Sequence, residues 1–294
     1  MLKNNRVQEF FSVKFRRLLS GDPNGVPPWL ETIGAGDTGG LFEPGDAPWV
    51  VHRDFGTLVG GVRALLMQAL HPGSLAGVAQ HSRYEQDALG RLSGTIRWLT
   101  VTTFGSFEAI AGEASRVNRL HERVKGQYVN KSETVSYRAA DSDLLLWVHI
   151  AFTESFLVAH NTFGSNPVDP DEYVEKWGRS AEPLGLTETP KTFAELERQL
   201  ASFDCLRADD LTKRVVSFIK YPPLPRSVRP AYKLLFAAAV ISLNDELREM
   251  LGLKKPNRLV IPATRLLLRS IRVLIGPESP IEQAALDRLA RIKK

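Results

Sequence analysis

Apolar residues along this chain recur at spacings of three and four, the repeat of a helix that turns one face inward. Phe55, Leu58, Val59, Val62, Leu65, Leu66, Ala69 and Leu70 follow that rhythm, with Asp54 as a fitting N-cap and His71-Pro72-Gly73 closing the run. The pattern predicts a second helix over Tyr84–Thr103. A third is predicted over Ser106–Lys125, capped by Ser106 and ended by Gly126. A fourth follows Asp141-Ser142-Asp143 and runs to about Thr162, stopped by Gly164 and Pro167. Further helices are expected near Pro170–Leu184, Thr192–Ala201, Asp209–Phe218, Arg229–Leu251, Pro262–Ile275 and Pro280–Ile292. Clear period-two strands, internal repeats and low-complexity stretches are missing.

The expected fold is therefore all-α, in a single helical domain. Residues 1–50 read as an N-terminal arm, mostly irregular, with a short amphipathic helix near Val7–Leu19 and a Gly/Pro-rich stretch over Gly21–Pro48. Residues 51–251 form the helical core, and residues 252–294 form basic C-terminal helices packed on it.

Composition changes this picture in one place. The 294 residues are 43% hydrophobic and 24% charged, with a formal net charge of +5. The charge is uneven: Leu251–Lys294 carries ten Lys and Arg against three acids, +7, and the rest of the chain sums to −2. The basic character belongs to one end. That end has no Phe, Tyr or Trp to stack on bases, which argues against nucleic acid as a partner. Within the predicted Pro262–Ile275 helix, Arg265, Arg269 and Arg272 form one stripe beside Leu266, Leu267, Ile271, Val273 and Leu274. The stripe reads either as an ordinary solvated face or as a peripheral contact with an anionic membrane. The lone Cys205 excludes an internal disulfide and a Cys-rich metal site. The basic start is interrupted by Gln8, Glu9 and Lys14, unlike a signal peptide, and no stretch reaches the ~20 apolar residues of a spanning helix. A cytoplasmic protein is expected, with peripheral membrane contact as the added option.

Familiar catalytic motifs fail on context. Gly34-Ala35-Gly36-Asp37-Thr38-Gly39 spells a dinucleotide fingerprint, but prolines flank it where a strand and a helix are required. No histidine has Glu three residues before it, so a ferritin-like di-iron centre is not expected. What remains is histidine on apolar helices. His121 shares a helical face with Val117, Leu120 and Val124, and His149 lies in the most apolar helix of the chain. The plain alternative for each is a buried imidazole satisfied by a hydrogen bond. Arg91 and Thr95 are four apart and share a face, so they suit a polar ligand atom or an ordinary exposed arginine with a self-bonded threonine.

An ordered set of short motifs carries a resemblance. Arg53-Asp54-Phe55-Gly56, Leu66-Met67-Gln68-Ala69-Leu70-His71-Pro72-Gly73, Ala76-Gly77-Val78-Ala79-Gln80-His81 and Arg91-Leu92-Ser93-Gly94-Thr95 come first. Val117-Asn118-Arg119-Leu120-His121-Glu122-Arg123-Val124-Lys125-Gly126 and the run from Asp143 to His149 follow. Together, over roughly Trp49–Gly164 with weaker support to Leu251, they resemble the oxygenase family of the fungal MpaB oxygenase and the bacterial rubber oxygenase, the latex-clearing protein. The resemblance implies a globin-like helical core that binds haem b, with His121 as the proximal iron ligand. It implies Arg91 and Thr95 on the distal side, both as cofactor-binding and as catalytic residues, and His149 as a further histidine near the haem. The family's distal run is Arg-x-x-Lys-Thr; here Gly94 stands in place of the lysine, which puts the rubber-cleaving reaction itself in doubt.

The function expected on that basis is a haem-dependent oxygenase that takes dioxygen and an apolar, terpenoid- or lipid-like substrate. Two other classes stay open: a non-enzymatic haem or lipid carrier, which would consume no oxygen, and a cofactor-free helical protein of membrane surfaces, which would be colourless.

Overall fold

Residues 6–293 are described by the structure, a computed structural model, apart from 21, 23, 83–87, 131–132 and 277–278. Inside helices, the side chains at 6–7, 10, 18–20 and 88–91 also lie outside the description. The chain opens with α1 (Arg6–Ser20), then α2 (Leu30–Gly34) and α3 (Ala47–Arg53). These early elements pack onto the body of the protein. Trp29, Ile33, Phe42 and Trp49 are buried in the main core, and Trp49 meets Phe104 edge-on with ring centroids 4.8 Å apart.

Next come α4 (Thr57–Gln68) and α5 (Pro72–His81), then α6 (Ala88–Phe104) and α7 (Phe107–His121). Asp54 does not cap α4. It ends α3, and its carboxylate accepts from the Gly56 N–H at 2.7 Å and from Ser165 and Arg272. A buried carboxylate with two distant partners, Ser165 and Arg272, is drawn away from the helix-capping role that its position suggested. His71 both ends the first run and starts another helix, its Nδ1 accepting from the Ser74 N–H. The described part of the predicted Tyr84–Thr103 helix is α6; its first residues fall outside the described set.

Helix α7 begins at the Ser106 cap, as expected, but stops at His121. The chain then forms an unpredicted antiparallel hairpin of β1 (Lys125–Asn130) and β2 (Glu133–Arg138). Gly126 therefore lies in a strand opposite Tyr137 and is not a helix terminator. A Cβ there would sit 2.4 Å from Gln80 Oε1 and 3.0 Å from the Tyr137 hydroxyl, so a larger residue would have to displace those two side-chain ends.

Helix α8 (Ser142–Phe163) runs through the centre. By length and mean hydropathy alone it is long and apolar enough to cross a membrane, yet most of it is buried inside the fold, as in the core helix of a globular protein. Trp147, Ile150, Phe156 and Leu157 pack there with Val59, Leu66 and Met67 of α4. The crossing is close because Gly60 lies against Phe156, where an added Cβ would stand 2.6 Å from Cδ1. Arg63 of α4 is 1% exposed and forms a fork on Glu154 of α8, one arm at 2.6 Å, with Ser155 Oγ at 3.0 Å and the Ser242 carbonyl at 3.3 Å. Burial draws the guanidinium down to about 9, which leaves it charged at neutral pH.

The remaining helices are α9 (Pro170–Gly178), α10 (Phe193–Ala201), α11 (Asp210–Lys220), α12 (Arg229–Ser242), α13 (Asp245–Met250), α14 (Val260–Ile275) and α15 (Pro280–Ile292). Asp169, Thr192 and Asp209 cap α9, α10 and α11 through side-chain oxygens. The single helix predicted over Arg229–Leu251 is two. Leu243 turns extended and the Asn244 side chain accepts from the Leu247 N–H, starting α13. Leu268 of α14 and Ala285 and Leu289 of α15 join the same core as α4 and α8.

Candidate active site

The sequence-predicted residues lie on three helices, Arg91 and Thr95 on α6, His121 at the end of α7 and His149 on α8. Glu113 of α7, 2% exposed, holds Arg97 of α6 at 2.7 Å and Arg116 of its own helix at 2.5 Å. This fork fixes α6, which carries Arg91 and Thr95, against α7, which ends on His121. The buried carboxylate is shared by two partly exposed guanidiniums, and charge-assisted bonds of this kind are shorter and stronger than neutral ones.

A chamber of about 900 Å³ lies among α1, α4, α6, α11, α12 and α14. Its walls are mostly apolar, with Leu65, Leu99, Phe152, Ile219 and Leu235 among them. Arg53, Asp54, Ser165, Arg272 and Glu282 are among its polar lining residues. These groups are mutually engaged. Arg272 donates to Asp54 at 2.6 Å, and Arg53 donates to Glu282, which also takes the Trp49 indole N–H. Gly61 faces the chamber with open space where a side chain would project.

Of the predicted site residues, Thr95 stands on this chamber wall. Arg91 belongs to α6, but its side chain lies outside the described residues. His121 and His149 are not on the wall. The His121 imidazole is half-buried, its Nδ1 is sealed from solvent without a hydrogen-bond partner, and burial pushes its pKa below the ordinary histidine value. It is therefore neutral, with a lone pair to offer. His149 is buried in α8, and burial lowers its pKa to about 4. Its Nε2 lies 3.5 Å from Thr153 Oγ1, at the outer limit of a bond, because that hydroxyl already donates to the His149 carbonyl at 2.6 Å. Gly94 has nothing within 4 Å of an added Cβ, so the position of the family lysine opens on free space.

His52, not singled out in the sequence, also lines the chamber. Thr103 Oγ1 donates to the Leu99 carbonyl at 2.7 Å, so the 2.7 Å contact to His52 has Nδ1–H as donor. Nε2 then accepts from the Tyr173 hydroxyl at 2.9 Å. Both nitrogens are committed, and burial holds the pKa down at about 3. His52 is an uncharged strut between α3, α6 and α9. Its short helix has no periodic signal, and its partners lie 51 and 121 residues away.

An iron porphyrin asks for a neutral imidazole with an unsatisfied nitrogen, and His121 meets that demand. Among the described residues no three His, Cys, Asp or Glu side chains converge on a common point, so a metal held by protein ligands alone has no cluster there. All-helical domains around a large, mostly apolar chamber are a class built to enclose small molecules. Within that class the family is defined by sequence. The family model described as ER-bound oxygenase mpaB/B'/Rubber oxygenase, catalytic domain, matches residues 49–274, and the chain belongs to that family. Its members are oxygenases, enzymes that combine dioxygen with a small-molecule substrate. No curated protein and no solved structure matches the chain at a significant level.

Proposed function

We propose that this protein is a haem b-dependent oxygenase for an apolar, terpenoid- or lipid-like substrate, with His121 as the proximal iron ligand. The observation that carries the reading is the half-buried, neutral imidazole of His121, whose Nδ1 is sealed from solvent and unsatisfied, at the end of a helix inside the family-matched span. A haem held by His121 would supply the oxygen activation. The chain's residues supply the rest. Leu65, Leu99, Phe152 and Leu235 take an apolar substrate and exclude water. The Thr95 hydroxyl, a donor with two acceptor lone pairs, orients a polar atom at the wall. Arg91 and His149 complete the set as cofactor-binding residues, and the globin-like reading of the core belongs to the same proposal. His52 moves no proton, because both its nitrogens are tied to Thr103 and Tyr173.

The test is the absorption spectrum of the purified protein, with oxygen uptake on apolar alkenes and His121→Ala as control. The expected result is a Soret band in the native protein and less than about a tenth of the haem in the variant, since the iron–imidazole bond is the only strong protein contact to the metal. Full haem occupancy with an unchanged spectrum in His121→Ala overturns the ligand assignment. Bound haem without oxygen consumption assigns the protein to carriage instead of catalysis.

A further inference from the structure

The C-terminal helix α14 has two working faces. One side, Leu267, Ile271 and Ile275, walls the chamber. The other side is open. Leu259 is 71% exposed, Leu266 66% and Val273 71%, with Leu274 beside them at 43%. At 100° per residue, Leu259, Ala263, Leu266, Ser270 and Val273 form one ridge, a seven-residue repeat along the solvent side. Four of the twelve large hydrophobic residues exposed among the described residues are thus gathered on this helix and the residue before it. Apolar surface concentrated in that way marks an interaction face, where single scattered residues do not.

Beside the ridge runs a row of exposed cations: Arg258, Arg265 and Arg269. The expected stripe of Arg265, Arg269 and Arg272 is corrected in one member, because Arg272 turns inward to Asp54. Arg258, two residues before the helix, takes its place. Arg265 stays exposed while its Nε donates to the Thr162 carbonyl, which anchors the row to the body of the protein. Lys254 extends the positive surface, while Lys255 is paired with Asp245 at 3.1 Å. From Leu251 to Ile275 the sequence contains no acid.

We infer that this face of α14 docks on an anionic lipid surface, with Leu259, Leu266 and Val273 in the acyl boundary and the arginine row among the headgroups. Charge decides the occupant. A second copy seated by a two-fold axis would bring one arginine row toward the other with no acid on the helix to separate them. Anionic headgroups complement the row, and acyl chains complement the ridge. The geometry adds a reason: the docked helix is itself a wall of the chamber, so a lipid-dissolved molecule would meet the protein within one helix diameter of its binding space. Docking itself does not depend on the haem assignment.

Co-sedimentation of the full chain with vesicles tests this, comparing phosphatidylcholine alone with phosphatidylcholine containing phosphatidylglycerol. Binding is expected to the anionic vesicles and to fall steeply with salt. Arg258→Ala with Arg269→Ala should weaken it about 25-fold, at about fivefold per basic residue. Leu266→Ser with Val273→Ser should weaken it at least about tenfold. Circular dichroism of both variants should match the parent, as expected for exposed positions. Absent binding, equal binding to both vesicle types, or variants that bind like the parent overturn the inference. So does a concentration-dependent dimer, seen by sedimentation equilibrium, that the serine variant dissolves. Haem content and oxygen uptake in detergent are read in parallel and are expected to be unchanged.

Discussion

Helices α8 and α14 look alike as strings of letters and are opposites in the fold. Both are long and leucine-rich, and α8 alone would pass for a membrane span. In α8 the apolar residues go all round because neighbours cover it all round, and its polar residues are committed inward. Glu154 holds Arg63, Thr153 bonds its own helix, and the His160 Nε2 meets the Asn166 carbonyl. In α14 only Thr264 and Leu268 are buried, and the apolar residues on the far side have no protein neighbour to cover them. Apolar content therefore says that a helix is covered by something. Where the charged residues find partners says whether that cover is protein.

The comparison breaks most visibly at Arg63. Arg63→Met leaves the Glu154 carboxylate buried without its cation, and the expected loss is about 3–5 kcal/mol in urea unfolding. Adding Glu154→Leu should restore most of it, since two apolar residues satisfy a dry site as well as an ion pair does. If the single variant is as stable as the parent, α8 is not dry at that level.

Acid sharpens the same contrast. His52 and His71 are buried beside α8, and burial lowers their pKa values from the ordinary 6.5 to about 3 and about 4. A folded-state pKa below the unfolded value means the unfolded chain binds more protons as pH falls. Stability is then full above pH 6.5 and declines through the window from 6.5 toward 4. At pH 5.5 each of the two should have given up about 1.4 kcal/mol relative to pH 8. Urea midpoints at the two pH values measure it, and His52→Gln should remove one share of the decline. The smallest effect belongs to α14: Leu266→Ser should shift the unfolding free energy by no more than about 0.5 kcal/mol, because no packing is lost. A loss of 2 kcal/mol there would mean that the exposed ridge is packed in solution.

Much of this fold is legible in the periodicity. The span of α8, the Asp209 start of α11 and the whole of α15 stand where the apolar rhythm and the caps place them. The hairpin was not legible, since its strands are six residues each, largely polar, and half exposed. The break between α12 and α13 rests on one asparagine cap, with no Pro or Gly to announce it. Asp54 and Arg272 were each read from local neighbours, and each is spent on the other across 218 residues. The same limit applies at the site. Helical spacing put Thr95 and Arg91 on one face, and Thr95 does meet the chamber. It carried no information about His52, whose role is set by contacts between distant elements.

The paired glycines of α4 show how such a protein is open to retuning. Gly60 is fixed by the ring of Phe156, and any side chain there would push α4 off α8. Its neighbour Gly61 looks into the chamber with room to spare. A methyl at 61 would also remove the roughly 1 kcal/mol handicap of glycine in a helix. Enlarging that residue stepwise, from alanine to valine to leucine, therefore subtracts volume from the chamber while the scaffold gains or keeps its stability. Molecular size selection in this fold is thus adjustable at a single codon, next to one that tolerates no adjustment at all.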